Sequence, residues 1–373
     1  MVAGRSKSAE IHDALAHHLR QEAPGWSVTT WASGRAALAA AVLALGIDWP
    51  RVAVPGYVCP AVPMALRHAG AEPVYVDCVE GSLGFDVADL HRRIESGTLH
   101  AAVVPLTYGQ VDRPLAAIPS GLPVILDAAY LGGAELPAAA ADERVRSVVW
   151  SFNFKTLTGV GGGVLLRRDP GQGAVPGPRL RTEELRRLAN YTLRAILRER
   201  IPRFLPGARR PQPIDDGRAR GPQPMAMGAM STLQAAVALT QWRRRRELRR
   251  RVRDTNASLE TILGSAPHAD EVRLLPGGPF PHLLPLTATG AAEDRRAFAQ
   301  ALRLALHRRG IQTEDPYPMP TSDVVLERAQ EIRETLILVP CGASLRPALV
   351  ARIGAALAES LVEAAGAVGE RAA

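Results

Sequence analysis

The sequence predicts an α/β protein: a larger domain whose mostly parallel sheet is covered by helices, then a smaller C-terminal αβ domain. Three observations predict it. Short apolar, β-branched runs recur through the first half of the chain, with helical patterns between several of them. Strands joined by helices need crossover connections, which give parallel strands buried on both faces. A Pro- and Arg-rich stretch interrupts the pattern at 168–225, after which helices and strands resume. With 373 residues, 47% apolar and 22% charged, the chain can bury a large core or form two domains.

In order along the chain, 9–22 reads as a short amphipathic helix. Strands are expected at Arg51–Val54, Pro73–Val76, Ala101–Pro105, Pro123–Asp127, Ser147–Phe152 and Gly163–Leu166, with helices over 34–46, 60–69 and 86–96. The glycine run Gly161, Gly162, Gly163 suggests a tight return before Val164, and so an antiparallel last strand. Within 168–225 one helical pattern covers 182–200, and 207–225 reads as a mobile part. A long helical pattern runs over 231–263. A smaller αβ region follows: a strand near His282–Leu286, a helix near 293–309, a strand near Thr335–Val339 and a helix near 346–364. The expected division is an N-terminal arm and helix at 1–24, a large domain at 25–230 carrying the 168–225 excursion, and a long linking helix with the small domain at 231–373.

Three cysteines, Cys59, Cys78 and Cys341, are too few and too scattered for a disulfide framework or a zinc site. The N-terminus lacks an apolar signal core, and no run reaches the ~18 apolar residues of a membrane helix. A cytoplasmic location is expected. The net charge of +8 suits nucleic acid, an anionic surface or an anionic small substrate, or reflects only a base-composition bias.

The basic residues are almost all arginine. Among 45 Lys and Arg, lysine occurs only at Lys7 and Lys155. A guanidinium stays protonated, whereas a desolvated ε-amine loses its proton and attacks a carbonyl. Lys7 lies in the polar N-terminal arm. Lys155 follows the apolar run Val148, Val149, Trp150, Ser151, Phe152, and a glycine-rich stretch follows it. That setting marks Lys155 as the candidate for amine chemistry rather than a surface residue.

Two further motifs join it. In Ser33-Gly34-Arg35-Ala36, Ser33 can cap a helix, and Gly34 lets a ligand approach the free N–H groups of the first turn, which suit a phosphate. Arg35 can add a charge. The apolar run Pro123–Leu126 ends in Asp127, where α/β proteins bind ligands. A carboxylate there can pair with a pyridinium nitrogen and keep the ring an electron sink. Each motif alone is also an ordinary helix cap. Their order, phosphate cup, acid, then lysine, suits a cofactor with a phosphate, a ring nitrogen and an aldehyde: pyridoxal 5'-phosphate.

With these motifs on view, the chain resembles the DegT/StrS-type nucleotide-sugar aminotransferases. The resemblance is carried by Ser33–Leu38, Val54–Tyr57, Ala69–Asp77, Tyr108–Gln110, Leu122–Ala129 and Ser151–Gly159, then by Leu233–Ala236 with Gln241, Arg309–Ile311 and Tyr317-Pro318. It implies the fold of the pyridoxal-phosphate-dependent transferases of fold type I. It also implies that Lys155 holds the cofactor as a Schiff base and shuttles protons. Asp127 then pairs with the ring nitrogen, and Ser151 with the Arg35-Ala36 backbone holds the phosphate. Relatives are usually homodimers with the active site at the interface, and take the amino group from glutamate or glutamine.

Several positions depart from the family pattern. Tyr130 stands where Gln or His is usual near the cofactor's phenolic oxygen, and can still donate a hydrogen bond. Cys59 falls where many relatives stack an aromatic on the ring, a role Tyr57 can take. Ala229 replaces an Asn that reaches the partner's phosphate, and Arg35 replaces a Thr. Relatives with His for the lysine are sugar dehydratases, a branch that Lys155 argues against. The expected activity is transfer of an amino group to a keto acceptor, a keto-sugar nucleotide in specialised or cell-surface sugar biosynthesis. One alternative keeps the cofactor but performs a lyase or condensation reaction on an amino-acid-like substrate. Another is a basic protein that binds nucleic acid or a membrane surface.

Weaker signals point less far. Trp242–Arg251 is the densest basic run, but it lacks interleaved aromatics and reads as a solvated helix face. Tyr191–Ile201 is apolar on one side and basic on the other, and reads as packing on the body or a partner rather than lying on a membrane. The nine histidines have no metal-ligand spacing. No nucleic-acid partner, bound metal or stable membrane insertion is expected.

Overall fold

The computed structural model describes residues 6–109, 115–116, 118–131, 136–153, 160–169, 176–177, 225, 227–275, 282–320, 322, 324–343 and 345–372. Lys155, the helical pattern at 182–200 and almost all of the 168–225 excursion lie outside the described residues.

Helix α1 (Lys7–Glu22) leads into β1 (Ser27–Trp31) and α2 (Gly34–Leu43). Then follow β2 (Arg51–Pro55), α3 (Ala61–His68), β3 (Glu72–Val76), α4 (Val87–Glu95), β4 (Ala101–Pro105), β5 (Val124–Asp127), β6 (Val145–Asn153) and β7 (Val160–Arg167). These strands make one seven-stranded sheet in the order β1-β7-β6-β5-β4-β2-β3, in which only β7 runs against the rest. The antiparallel β7 was expected, but its glycines lie inside the strand rather than in a turn before it. Strand β1 was not expected. Its sequence, SVTTW, is mostly half-buried and lacks an apolar run to announce it.

Alternate residues of one strand feed opposite faces of the sheet. Val124, Leu126, Val148 and Trp150 join the core beneath α1, with Leu15 and Leu19. Ile125 and Val149 join the core on the other face, with the alanines of α2. Small side chains let α2 settle against the sheet with every residue from Ala36 to Val42 buried.

Downstream, the single helix expected over 231–263 is two. Helix α5 (Thr232–Arg243) stops at Arg244, and α6 (Arg245–Ser265) continues from it. Trp242, at the end of α5, is fully buried, with its ring 5.9 Å from that of Trp150. No Gly or Pro lies at the break. The smaller C-terminal αβ unit has a three-stranded sheet of β8 (Val272–Leu274), β9 (Leu283–Ala288) and β10 (Leu336–Pro340), in the order β10-β9-β8. It packs with α7 (Ala292–Arg308), α8 (Glu327–Thr335) and α9 (Pro347–Ala372) around a third core. Helix α8 was not expected, because its cap is not local. Asp77, just past β3, accepts the N–H groups of Arg328 at 3.0 Å and Ala329 at 2.9 Å. That carboxylate therefore ties the smaller unit to the large sheet.

Candidate active site

Parallel strands bring the C-terminal ends of β2, β4, β5 and β6 to one edge of the sheet, and the predicted site residues gather there. Ser33 caps α2, its Oγ accepting the N–H of Ala36 at 3.1 Å. The first turn of α2 thus presents N–H groups without intrahelical partners, at the positive end of the helix dipole. The turn packs tightly on β6 and β7. A Cβ added to Gly34 would lie 2.8 Å from Ser151 Cβ and 3.0 Å from its Oγ. One added to Gly163 would collide with the Ser33 carbonyl oxygen. Gly162, at φ +104°, adopts a backbone that L residues rarely take. Fully buried Gln234 braces the same elbow, donating from Nε2 to the Ala32 carbonyl at 3.0 Å. These contacts make a cradle of backbone and a serine hydroxyl. Ala36 is buried there, while the Arg35 side chain is exposed.

Asp127 ends β5 in register with Val149 of β6, so Ser151 lies two residues further along the neighbouring strand. Its Oδ1 accepts the N–H of Ala129 at 3.1 Å. The structure thus brings Asp127, Ser151, Gly34 and Ala36 to one sheet edge. Lys155 lies two residues beyond Asn153, the last residue of β6, and outside the described residues.

Beside this cradle four of the chain's six tyrosines converge, a feature the sequence reading missed. Tyr57, Tyr108 and Tyr130 follow β2, β4 and β5, and Tyr317 comes from the smaller unit. Tyr57 and Tyr108 join hydroxyls at 2.8 Å, and the Tyr317 N–H donates to the Tyr57 hydroxyl at 3.2 Å. The hydroxyls of Tyr130 and Tyr317 also pair. The Tyr108 ring stacks on Tyr317 at 6.0 Å and meets Tyr130 edge-on at 5.3 Å, while His282 stacks on Tyr130 at 5.0 Å. His282 therefore belongs to the cluster. Proximity to strand ends was the signal available: each of these large-domain tyrosines falls within three residues of a Pro or Asp that closes a parallel strand.

Burial pushes all four phenol pKa values up, so these hydroxyls are neutral donors and acceptors at ordinary pH. Cys59 is half-buried, with a free thiol. Ala229, where the family resemblance expects Asn, gives its backbone N–H to the Gly177 carbonyl at 3.1 Å. Among the described residues no group of three His, Cys, Asp or Glu could hold a metal ion, and no helix is long and apolar enough to cross a membrane.

Residues 6–175 match the sequence profile of the DegT/DnrJ/EryC1/StrS aminotransferase family, somewhat under half of the chain. Compared by sequence with curated proteins, the chain matches none. Solved structures share its fold over nearly its whole length. PseC of Helicobacter pylori, an aminotransferase involved in the biosynthesis of pseudoaminic acid, superposes with a TM-score of 0.66 at 16% identity, covering 96% of this chain and 92% of that one. The aminotransferase TlmJ from Streptoalloteichus hindustanus gives 0.62 at 20% identity, covering 96% and 91%. NtdA from Bacillus subtilis, solved with bound cofactor PMP, gives 0.66 at 16% identity, covering 96% and 78%. The chain thus shares the fold of these solved aminotransferases.

Proposed function

We propose that this chain, whose residues 6–175 match the DegT/DnrJ/EryC1/StrS aminotransferase family, transfers an amino group from a donor such as glutamate or glutamine to a keto-sugar. One observation carries the reading. The capped N-terminus of α2 is pressed onto Ser151, and Asp127 ends the adjacent strand in register with Val149.

That arrangement fits pyridoxal 5'-phosphate. The space between Gly34 and Ser151 is one a single added Cβ would fill, so backbone N–H groups and a hydroxyl can close on a phosphate. The first turn of α2, with Ser151, would bind the phosphate, and the Arg35 side chain would add charge from outside. Asp127 would face the ring nitrogen and hold its proton. Lys155 would bond to the cofactor aldehyde, then accept and return the substrate proton. When bound, the cofactor supplies a carbonyl that takes up the amino group and a cationic ring that stabilises neighbouring negative charge. Tyr130, and Tyr57 or Cys59, would line the ring. Burial of the neighbouring tyrosine rings would help to keep water from the proton transfer.

The keto-sugar acceptor is supported by the hydroxyl-rich aromatic lining and by the pathway in which the similar PseC acts. The reading extends to a homodimer with its site at the subunit interface and to a cytoplasmic enzyme. The latter is in keeping with three cysteines that form no disulfide. The departures at Tyr130 and Cys59 favour, as a second reading, a lyase or condensation reaction with the same cofactor.

Absorbance of the cofactor-loaded protein decides between them. Glutamate or glutamine should convert the band near ~420 nm to a pyridoxamine band. A band that no amino donor converts would count against transamination and for the second reading.

A further inference from the structure

Tyr57 and Tyr108 carry two hydroxyl hydrogens between them, and their 2.8 Å contact uses one. The Tyr57 oxygen also accepts the Tyr317 N–H, so it supplies lone pairs rather than a further demand for them. Among the described residues nothing accepts the second hydrogen. A buried O–H without an acceptor is costly, and a site that holds one is built for an oxygen brought by a ligand.

Tyr108 is also held in an unusual backbone conformation, φ 53° and ψ 24°, with Gly109 following at φ 79°. A bulky side chain in the left-handed region persists only where its surroundings fix it, and such residues cluster at functional sites. Here Tyr317 stacks on one side and Tyr130 meets the ring edge-on.

A hydroxyl or ketone oxygen of a ligand would take the spare hydrogen and lay its C–H face on the rings.

We infer that the Tyr57–Tyr108 pair is a specificity-determining hydrogen-bond donor to a hydroxyl or ketone oxygen of the acceptor. The inference rests on the proposed function and narrows its acceptor class. A site that hydrogen-bonds a substrate hydroxyl discriminates strongly against molecules lacking it.

The test titrates the cofactor-loaded protein with glutamate and with a panel of neutral aminohexoses and aminocyclitols, following the ~420 nm band. At least one amino sugar or cyclitol should change the band. Tyr108→Phe should raise its half-saturating concentration about tenfold and that of glutamate by much less. Tyr75→Phe, whose hydroxyl meets Arg67 at 3.4 Å instead, serves as the control and should shift neither. The cofactor-free protein should show a near-ultraviolet tyrosine difference spectrum with the same sugar, lost in Tyr108→Phe. A normal band that glutamate changes and no panel member does, or equal shifts for both ligands in Tyr108→Phe, overturns this inference alone. A protein that never forms the band overturns the proposed function and this inference with it.

Discussion

Gly34 and Ser151 meet so closely that the α-carbon of one faces the side chain of the other with no room for a methyl group: a Cβ on Gly34 would come within 2.8 Å of Ser151 Cβ. The contact joins the start of α2 to the end of β6 and shapes the phosphate cradle. Gly34→Ala should therefore overpack the elbow, at about 1–3 kcal/mol, and push Ser151 out of line. Equilibrium dialysis should show pyridoxal phosphate affinity at least tenfold weaker, with a lower melting temperature.

Gly163→Ala should be worse. Its Cβ would meet the Ser33 carbonyl oxygen and the Gly34 nitrogen, which are backbone atoms and cannot swing aside like a serine side chain. Chemical denaturation should place this variant below Gly34→Ala in stability. The reverse ranking would mean that the β7 backbone yields more easily than the cradle does.

Asp77→Ala should uncap α8 and loosen the smaller unit from the large sheet. Two helix N–H groups lose their acceptor, at about 1–2 kcal/mol. Asp77→Asn keeps one acceptor oxygen and should recover part of that loss in the same denaturation experiment.

Stability should also fall in acid through Asp142. Arg144 donates to its carboxylate from Nε at 3.0 Å, from a terminal guanidinium nitrogen at 2.6 Å and from the backbone N–H at 2.9 Å, which lowers its pKa to about 2. The folded value lies below the unfolded one, so the group stabilises the fold above about pH 4 and loses that contribution as pH falls towards 2. The stability gap between the native chain and Asp142→Asn should be widest near neutral pH and close over that acid range. The pair is partly exposed, so added salt should narrow the gap.

The parallel strands were legible because buried strands in such a sheet are short apolar runs, as in VILD of β5 and AAVVP of β4. The helix over 34–43 was legible from its serine cap and alanine run. What escaped was whatever a distant residue decides. Helix α8 has no local cap because Asp77, some 250 positions earlier, supplies it. The break at Arg244 has no Gly or Pro to announce it. The positions of Asp127, Ser151 and Gly34 at strand ends and a helix start were readable from the sequence. The tyrosine cluster was not, since its members come from four separate loops and only the folded sheet edge assembles them.

The account stands on Lys155 as the amine that bonds to the cofactor. Borohydride reduction of the protein loaded with pyridoxal phosphate, followed by proteolysis and mass mapping, tests this most directly. The predicted result is a single pyridoxyl-modified peptide spanning Ser151–Gly159 with the modification on Lys155, the other lysine, Lys7, remaining unlabelled. Label on Lys7, or no stable label at all, would contradict it.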